Sequence, residues 1–189
     1  MKYTLLFSFL FATAIGSAQV TTTVIQSEPS SISDGPTSEV HWNIANTIAL
    51  GSVEVGYEYF LDGHQSIGAD VLINDVYNYS IGRQAKDFDT NSFQLSYNYY
   101  TSPDNNNSEW MITPFLKFRT GEYQKTASDP IIDMSAFILG IGGGYKWNLN
   151  DKFVFGPQIS VARNFSQEVL DEFNVAVEFN AAFVVGYRF

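Results

Sequence analysis

From Glu39 to Phe189 the apolar residues of this chain fall on every second position with few interruptions. A period of two marks extended strands with one apolar face. It predicts eight strands, over 39–46, 52–61, 66–75, 90–100, 109–119, 133–147, 152–163 and 173–189. The first presents Val40, Trp42 and Ile44 on one side; the second presents Val53, Val55, Tyr57, Tyr59 and Leu61. The fourth carries Phe93, Leu95, Tyr97 and Tyr99. The last carries Phe173, Val175, Val177, Phe179, Phe183, Val185, Tyr187 and Phe189.

Charges decide what the two faces meet. Glu54, Glu58, Asp70, Lys117, Arg119, Lys146, Lys152, Glu178 and Arg188 all lie on the parity opposite the apolar set. Asp75, Asp133 and Arg163 break the rule, but they stand at predicted strand ends, where they would reach a headgroup zone. The polar parity is otherwise Gly, Ser, Thr, Asn and Gln, as at Gly56, Ser66, Gln94, Asn98, Gly142 and Ser160. A soluble sandwich would show water a surface rich in Lys and Glu instead. A Lys or Arg facing lipid at mid-bilayer costs about 2–4 kcal/mol, a reason for such strict segregation.

Most of the segments reach the roughly 9–11 residues that a tilted strand needs to cross a bilayer. Connections alternate in length, with long ones over 76–89, 120–132 and 164–172 and short ones over 62–65, 101–108 and 148–151. The turn "TIALG" is shorter than its place in that alternation predicts. The expected fold is all-β: an eight-stranded antiparallel up-and-down transmembrane β-barrel over 39–189.

Composition narrows the setting. Residues 1–18, "MKYTLLFSFLFATAIGSA", pair one Lys with a short apolar run and small residues, which reads as a secretory signal peptide. Residues 19–38 lack a sustained period and read as a flexible periplasmic leader. There is no cysteine, so disulfides and thiolate metal sites are excluded, and no lipid anchor can follow the signal. The net charge of −10 argues against nucleic acid as a partner. Sixteen Phe, eleven Tyr and three Trp exceed what a small soluble interior holds, and they favour a lipid-facing wall.

With these residues in view, the chain resembles the small eight-stranded outer-membrane β-barrel families of Gram-negative bacteria. The stretch "NIANTIALGSVEVGYEYFLDGHQSIGADV" is similar to an outer-membrane protein β-barrel domain family that is largely uncharacterised. The resemblance implies outer-membrane location with both termini periplasmic, contact with outer-membrane lipid and lipopolysaccharide, and insertion by the barrel-assembly machinery. It implies that Phe183, Val185, Tyr187 and Phe189 form a C-terminal assembly signal. It implies no established activity.

Candidate chemistry is sparse. An eight-stranded lumen is filled by side chains or holds one small ligand. The nine inward charges therefore read as an ion-pair network plugging the lumen of a monomer, with a narrow channel as the alternative. "GIGGGYKW" lacks the spacing and following helix of a phosphate loop. "DFDTNS" starts like a calcium loop, but Ser92 and Asn98 replace its Gly and Glu. A lipid-A-modifying enzyme would need a nucleophile beside His41 or His64, and the spacing pairs neither. No catalytic residue, metal or cofactor is expected; the role is structural or surface interaction through the long loops. Pro114 and Pro157 fall inside strands on the apolar parity, which predicts a bulge or a rim position at each.

Overall fold

Strands that alternate over their whole length can shelter one face from solvent by curling into a ring. The computed structural model describes residues 35–76, 87–102, 106–174 and 176–189. Within them run β1 (Ser38–Asn43), β2 (Val53–Phe60), β3 (Gln65–Ile73), β4 (Phe88–Tyr100) and β5 (Glu109–Tyr123). A two-residue β6 (Ile132–Asp133) flanks the end of β5, followed by β7 (Ala136–Leu149), β8 (Phe153–Asn164) and β9 (Val177–Arg188). Setting β6 aside, each strand pairs antiparallel with the next, and β1 pairs with β9, Trp42 opposite Val185. The result is the expected eight-stranded antiparallel barrel. Among the described residues, closure leaves the eight strands of the ring without a free edge, and only the two-residue β6 is flanked on one side alone.

The strands alternate as predicted. Tyr57, Val71, Leu95, Ile112, Phe118, Ile141 and Phe179 are exposed on the outside, and their neighbours along each strand point into the lumen. The end of the barrel holding Ser38 and Arg188 is here called the terminal end, and the opposite one the loop end. At 13, 15 and 14 residues, β4, β5 and β7 exceed a bilayer crossing, and so reach past it.

Helix replaces strand in two places. The first predicted strand stops at Asn43, and Ile44–Leu50 forms helix α1 instead. The Asn43 side chain caps it by accepting from Asn46 N, and Gly51, at φ 68, ends it in the left-handed region that glycine favours. α1 packs on β9 and β2 where the short β1 no longer separates them. The last predicted strand begins late: Gln167–Phe173 is helix α2, with Ser166 as N-cap and Asn174 as a left-handed C-cap. Phe173 is therefore no lipid-facing residue. It packs on Phe88 and Tyr123, with ring centroids 6.3 and 5.3 Å away. Its parity matched the strand by coincidence, whereas the capping Ser166 reflects the local preference.

The prolines lie in mid-strand without a bulge, contrary to expectation. Pro114 pairs with Ile141 on β7, and Pro157 pairs with Phe183 on β9. On the other side of each the ladder lapses for two residue pairs, between Ser96↔Phe115 and Tyr99↔Ile112, and between Gly144↔Gln158 and Trp147↔Phe155. Register is the same before and after each lapse. A residue in an antiparallel strand donates to one neighbour only, so the missing N–H interrupts one ladder and spares the other.

Two apolar clusters sit on the polar side of the wall. Phe115, Ile138 and Ala162 pack inside the lumen, where the ring of Phe115 takes the space beside Gly140. At the loop end Val76, Phe88, Tyr123, Met134 and Val169 form a buried cap, joined by Leu50, Ile132 and Phe173. That cap draws on both helices, on β6 and on the β3–β4 and β6–β7 connections, so the loop end is covered by packed side chains.

Candidate functional site

The barrel brings most of the predicted charges together in two groups inside the lumen. The group near the loop end centres on Arg119. Its guanidinium donates to Asp75 Oδ2 from Nε and Nη2, at 3.1 and 3.0 Å, and to Glu178 through Nη1 and Nη2, each at 3.0 Å. Lys117 Nζ lies 3.1 Å from Asp75 Oδ2 and 3.4 Å from Glu178 Oε2. Ser92 and Asn164 donate to the same carboxylates. Two cations and two carboxylates thus balance under the apolar cap.

Asp75 corrects an expectation. It does not reach toward headgroups; it is buried, because β3 ends at Ile73 and the chain then turns inward over the lumen. Asp133 and Arg163 are exposed.

The group near the terminal end centres on Lys146. Its ammonium donates to Glu39 Oε1 and Glu58 Oε2, both at 2.9 Å, and to the Tyr100 hydroxyl at 2.8 Å. Ser66 and Tyr100 each donate to Glu58 Oε1. Arg188 Nε donates to Glu39 Oε2 at 2.9 Å, and its Nη1 donates to Asn106 O at 2.7 Å. The guanidinium also lies 4.8 Å from the Phe60 ring centroid. Arg188 thereby ties the last strand to the β4–β5 connection across this end.

Beside this group His41 Nε2 lies 2.7 Å from Asp70 Oδ1, while Nδ1 is buried without a hydrogen-bond partner. Glu54 makes no ion pair among the described residues. Asn43 Nδ2 and Asn46 Nδ2 donate to its Oε2 at 2.7 and 2.9 Å. It lines a cavity of about 50 Å³ with Gln94, Thr113, Gln158, Ser160 and Asn180, between the two groups. Thr113 Oγ1 and Asn180 Oδ1 are buried there without protein partners. A volume of that order holds a few waters.

Lys152 is the predicted lumen residue that lies elsewhere. Asn150 and Asp151 both adopt positive φ, and Lys152 N donates to Leu149 O, closing a tight turn between β7 and β8. Its parity points inward, but the barrel wall starts only at Phe153, so the side chain is exposed. Sequence reading missed Glu39 and Tyr100, both fully buried in the Lys146 group. Glu39 had the inward parity of β1, a signal obscured by its place at the edge of the pattern. The stretch "DFDTNS" is no loop: Phe88–Ser92 already belongs to β4. His64 sits in the β2–β3 turn, its Nδ1 3.2 Å from Tyr100 O.

The outward row of β9 runs through Phe183, Val185 and Tyr187 to Phe189. Phe189 is exposed, and its backbone exchanges hydrogen bonds with Ser38 at 3.0 and 3.1 Å.

No family model matches the chain, and no curated protein does. Among solved structures, the chain resembles the N-terminal β-barrel domain of Pseudomonas aeruginosa OprF, with a TM-score of 0.54 and 15% identity over 82% of this chain and 99% of that one. Ail, the attachment invasion locus protein of Yersinia pestis, gives a TM-score of 0.43 and 10% identity over 82% and 99% of the two chains. A Pseudomonas aeruginosa FadL homologue gives 0.34 and 10% identity, over 73% of this chain and 35% of that one. The last two scores carry no weight here. The closed ring, its apolar outer surface and the OprF likeness lead to one conclusion: this chain has the fold of the small eight-stranded outer-membrane β-barrels.

Proposed function

We propose that this protein is a monomeric outer-membrane barrel whose lumen is plugged by its own side chains and whose role is structural or surface contact through its loop-end connections. The observation that carries the reading is the pairing of charges across the lumen: Arg119 and Lys117 with Asp75 and Glu178, Lys146 and Arg188 with Glu39 and Glu58. The apolar cap at one end and the Arg188 tie at the other support it, as does the small cavity between them. In this reading both termini face the periplasm and the loop end faces outward, among lipid and lipopolysaccharide. The outward row ending at Phe189 is the element met by the barrel-assembly machinery.

Planar-bilayer recording tests the plug. The purified barrel is expected to give no sustained conductance. Steady steps that disappear when Lys117 or Arg119 is replaced would establish a channel and overturn the plug. Lipid mass spectrometry tests the enzymatic alternative: altered acylation that depends on the protein and is lost in His41→Ala would replace the structural reading.

A further inference from the structure

His41 Nδ1 is buried and unpartnered, and a buried polar nitrogen without a hydrogen bond is costly. The carboxylate of Asp70 holds the other ring nitrogen, so the neutral ring keeps its proton on Nε2 and turns the Nδ1 lone pair inward. Nδ1 faces Glu39 Oε1 at 3.9 Å, and one ligand atom each from Glu39, His41 and Glu58 lie within 4.8 Å of one another. The ammonium of Lys146 occupies the place between the two carboxylates. Its three N–H groups are spent on Glu39, Glu58 and Tyr100, leaving none for Nδ1.

Charge points the same way. Among the described lumen side chains, six carboxylates (Glu39, Glu54, Glu58, Asp70, Asp75, Glu178) face four cations (Lys117, Arg119, Lys146, Arg188). Carboxylates thus outnumber cations by two while His41 is neutral. A proton on Nδ1 would add one cation, but 3.9 Å is too long for a hydrogen bond to Glu39.

We propose that Glu39, His41 and Glu58 form a site for one divalent transition-metal ion, for which Lys146 is the competing cation. One imidazole nitrogen and two carboxylate oxygens suit Zn²⁺ and its neighbours rather than the all-oxygen preference of Ca²⁺ or Mg²⁺. Tetrahedral zinc with bonds of about 2.0–2.2 Å brings its ligand atoms to about 3.4 Å apart, so small side-chain movements complete the set. Asp70 is a positioning residue here: a carboxylate on the far nitrogen fixes the ring and raises its basicity as a ligand. The metal satisfies Nδ1 and supplies charge together, which the ammonium cannot do.

Zinc titrated into the refolded full-length barrel, with zinc as the sole added metal, tests the site. One equivalent is expected to bind, to be lost in His41→Gln and to survive in His64→Ala. Asp70→Asn is expected to weaken binding about 10–100-fold. Lys146→Gln removes a like charge and is expected to tighten it about tenfold or more. Because His41→Gln leaves Asp70 with only the Gln94 amide as donor and can fail to fold, ¹⁵N imidazole resonances of the unaltered barrel give a second reading. Zinc is expected to move Nδ1 of His41 and leave Nε2 protonated. Absence of binding to the unaltered barrel, binding indifferent to His41→Gln, or unchanged affinity in Lys146→Gln would overturn the proposal.

Discussion

His41 Nε2 and Asp70 Oδ1 meet at 2.7 Å across the face of Gly56. The three residues form one row over β1, β2 and β3, Gly56 being opposite His41 on one side and Asp70 on the other. A side chain on the middle strand would lie in the path of the bond, since a Cβ there falls 2.0 Å from Asp70 Oδ1 and 2.2 Å from His41 Nε2. The glycine at 56 is thus required by a contact between its neighbours.

Gly56→Ala is expected to break this pair and leave a buried carboxylate short of its donor. The loss should be about 1–3 kcal/mol, the cost of an unsatisfied buried partner. Urea unfolding of the barrel in detergent measures it. Unchanged stability in Gly56→Ala would show that the His41–Asp70 contact has no energetic weight.

The Arg119 group separates plug from pore. Replacing Arg119 by Met leaves two buried carboxylates to share Lys117 and should cost about 3–5 kcal/mol. Replacing Asp75, Lys117, Arg119 and Glu178 together by apolar residues of similar volume should come close to neutral. Equilibrium unfolding of the two variants tests the contrast, and equal losses in both would count against it.

Ile141 sits in the middle of β7 facing outward, 51% exposed, whereas Ile131, 57% exposed, precedes β6 in a connection. Ile141→Arg is expected to destabilise the barrel in lipid vesicles by about 2–4 kcal/mol, and Ile131→Arg by less than about 1 kcal/mol. Similar values at both sites would mean that the exposed belt does not meet lipid.

The apolar cap should behave as a small core. Met134 is fully buried in it, and Met134→Ala is expected to cost about 2–5 kcal/mol. Hydrogen exchange should locate the added opening in α2 and the β5–β7 connection, with the terminal-end strands unaffected.

Orientation is open to a labelling test because the chain has no cysteine of its own. Ile131→Cys at the loop end should react with an impermeant thiol reagent on intact cells, and Lys152→Cys at the terminal end should not. The reverse pattern would invert the proposed topology.

The wall of the barrel was legible in the sequence because the constraint that makes it is local. Each residue of a strand faces either lipid or lumen, so Tyr57, Leu95 and Ile141 declare their side by parity alone. The same rule placed Glu58, Lys117, Arg119, Lys146, Glu178 and Arg188 inside. Parity failed where strands ended. It carried Ile44 and Phe173 into strands they do not join, and it sent Lys152 into a lumen that starts one residue later.

Closing the ring decided what parity could not. Glu39 on β1 meets Lys146 on β7 and Arg188 on β9, residues more than a hundred positions away, only because β1 pairs with β9. Asp75 leaves β3 and turns inward because Arg119 and Lys117 wait there, and no local pattern encodes that turn. His41, whose spacing pairs it with no nucleophile, acquires Asp70 of β3 on one nitrogen, while Glu39 of its own strand and Glu58 of β2 stand near the other. Alternation along the chain determined which face each side chain takes; registry between strands far apart in sequence determined which side chains meet.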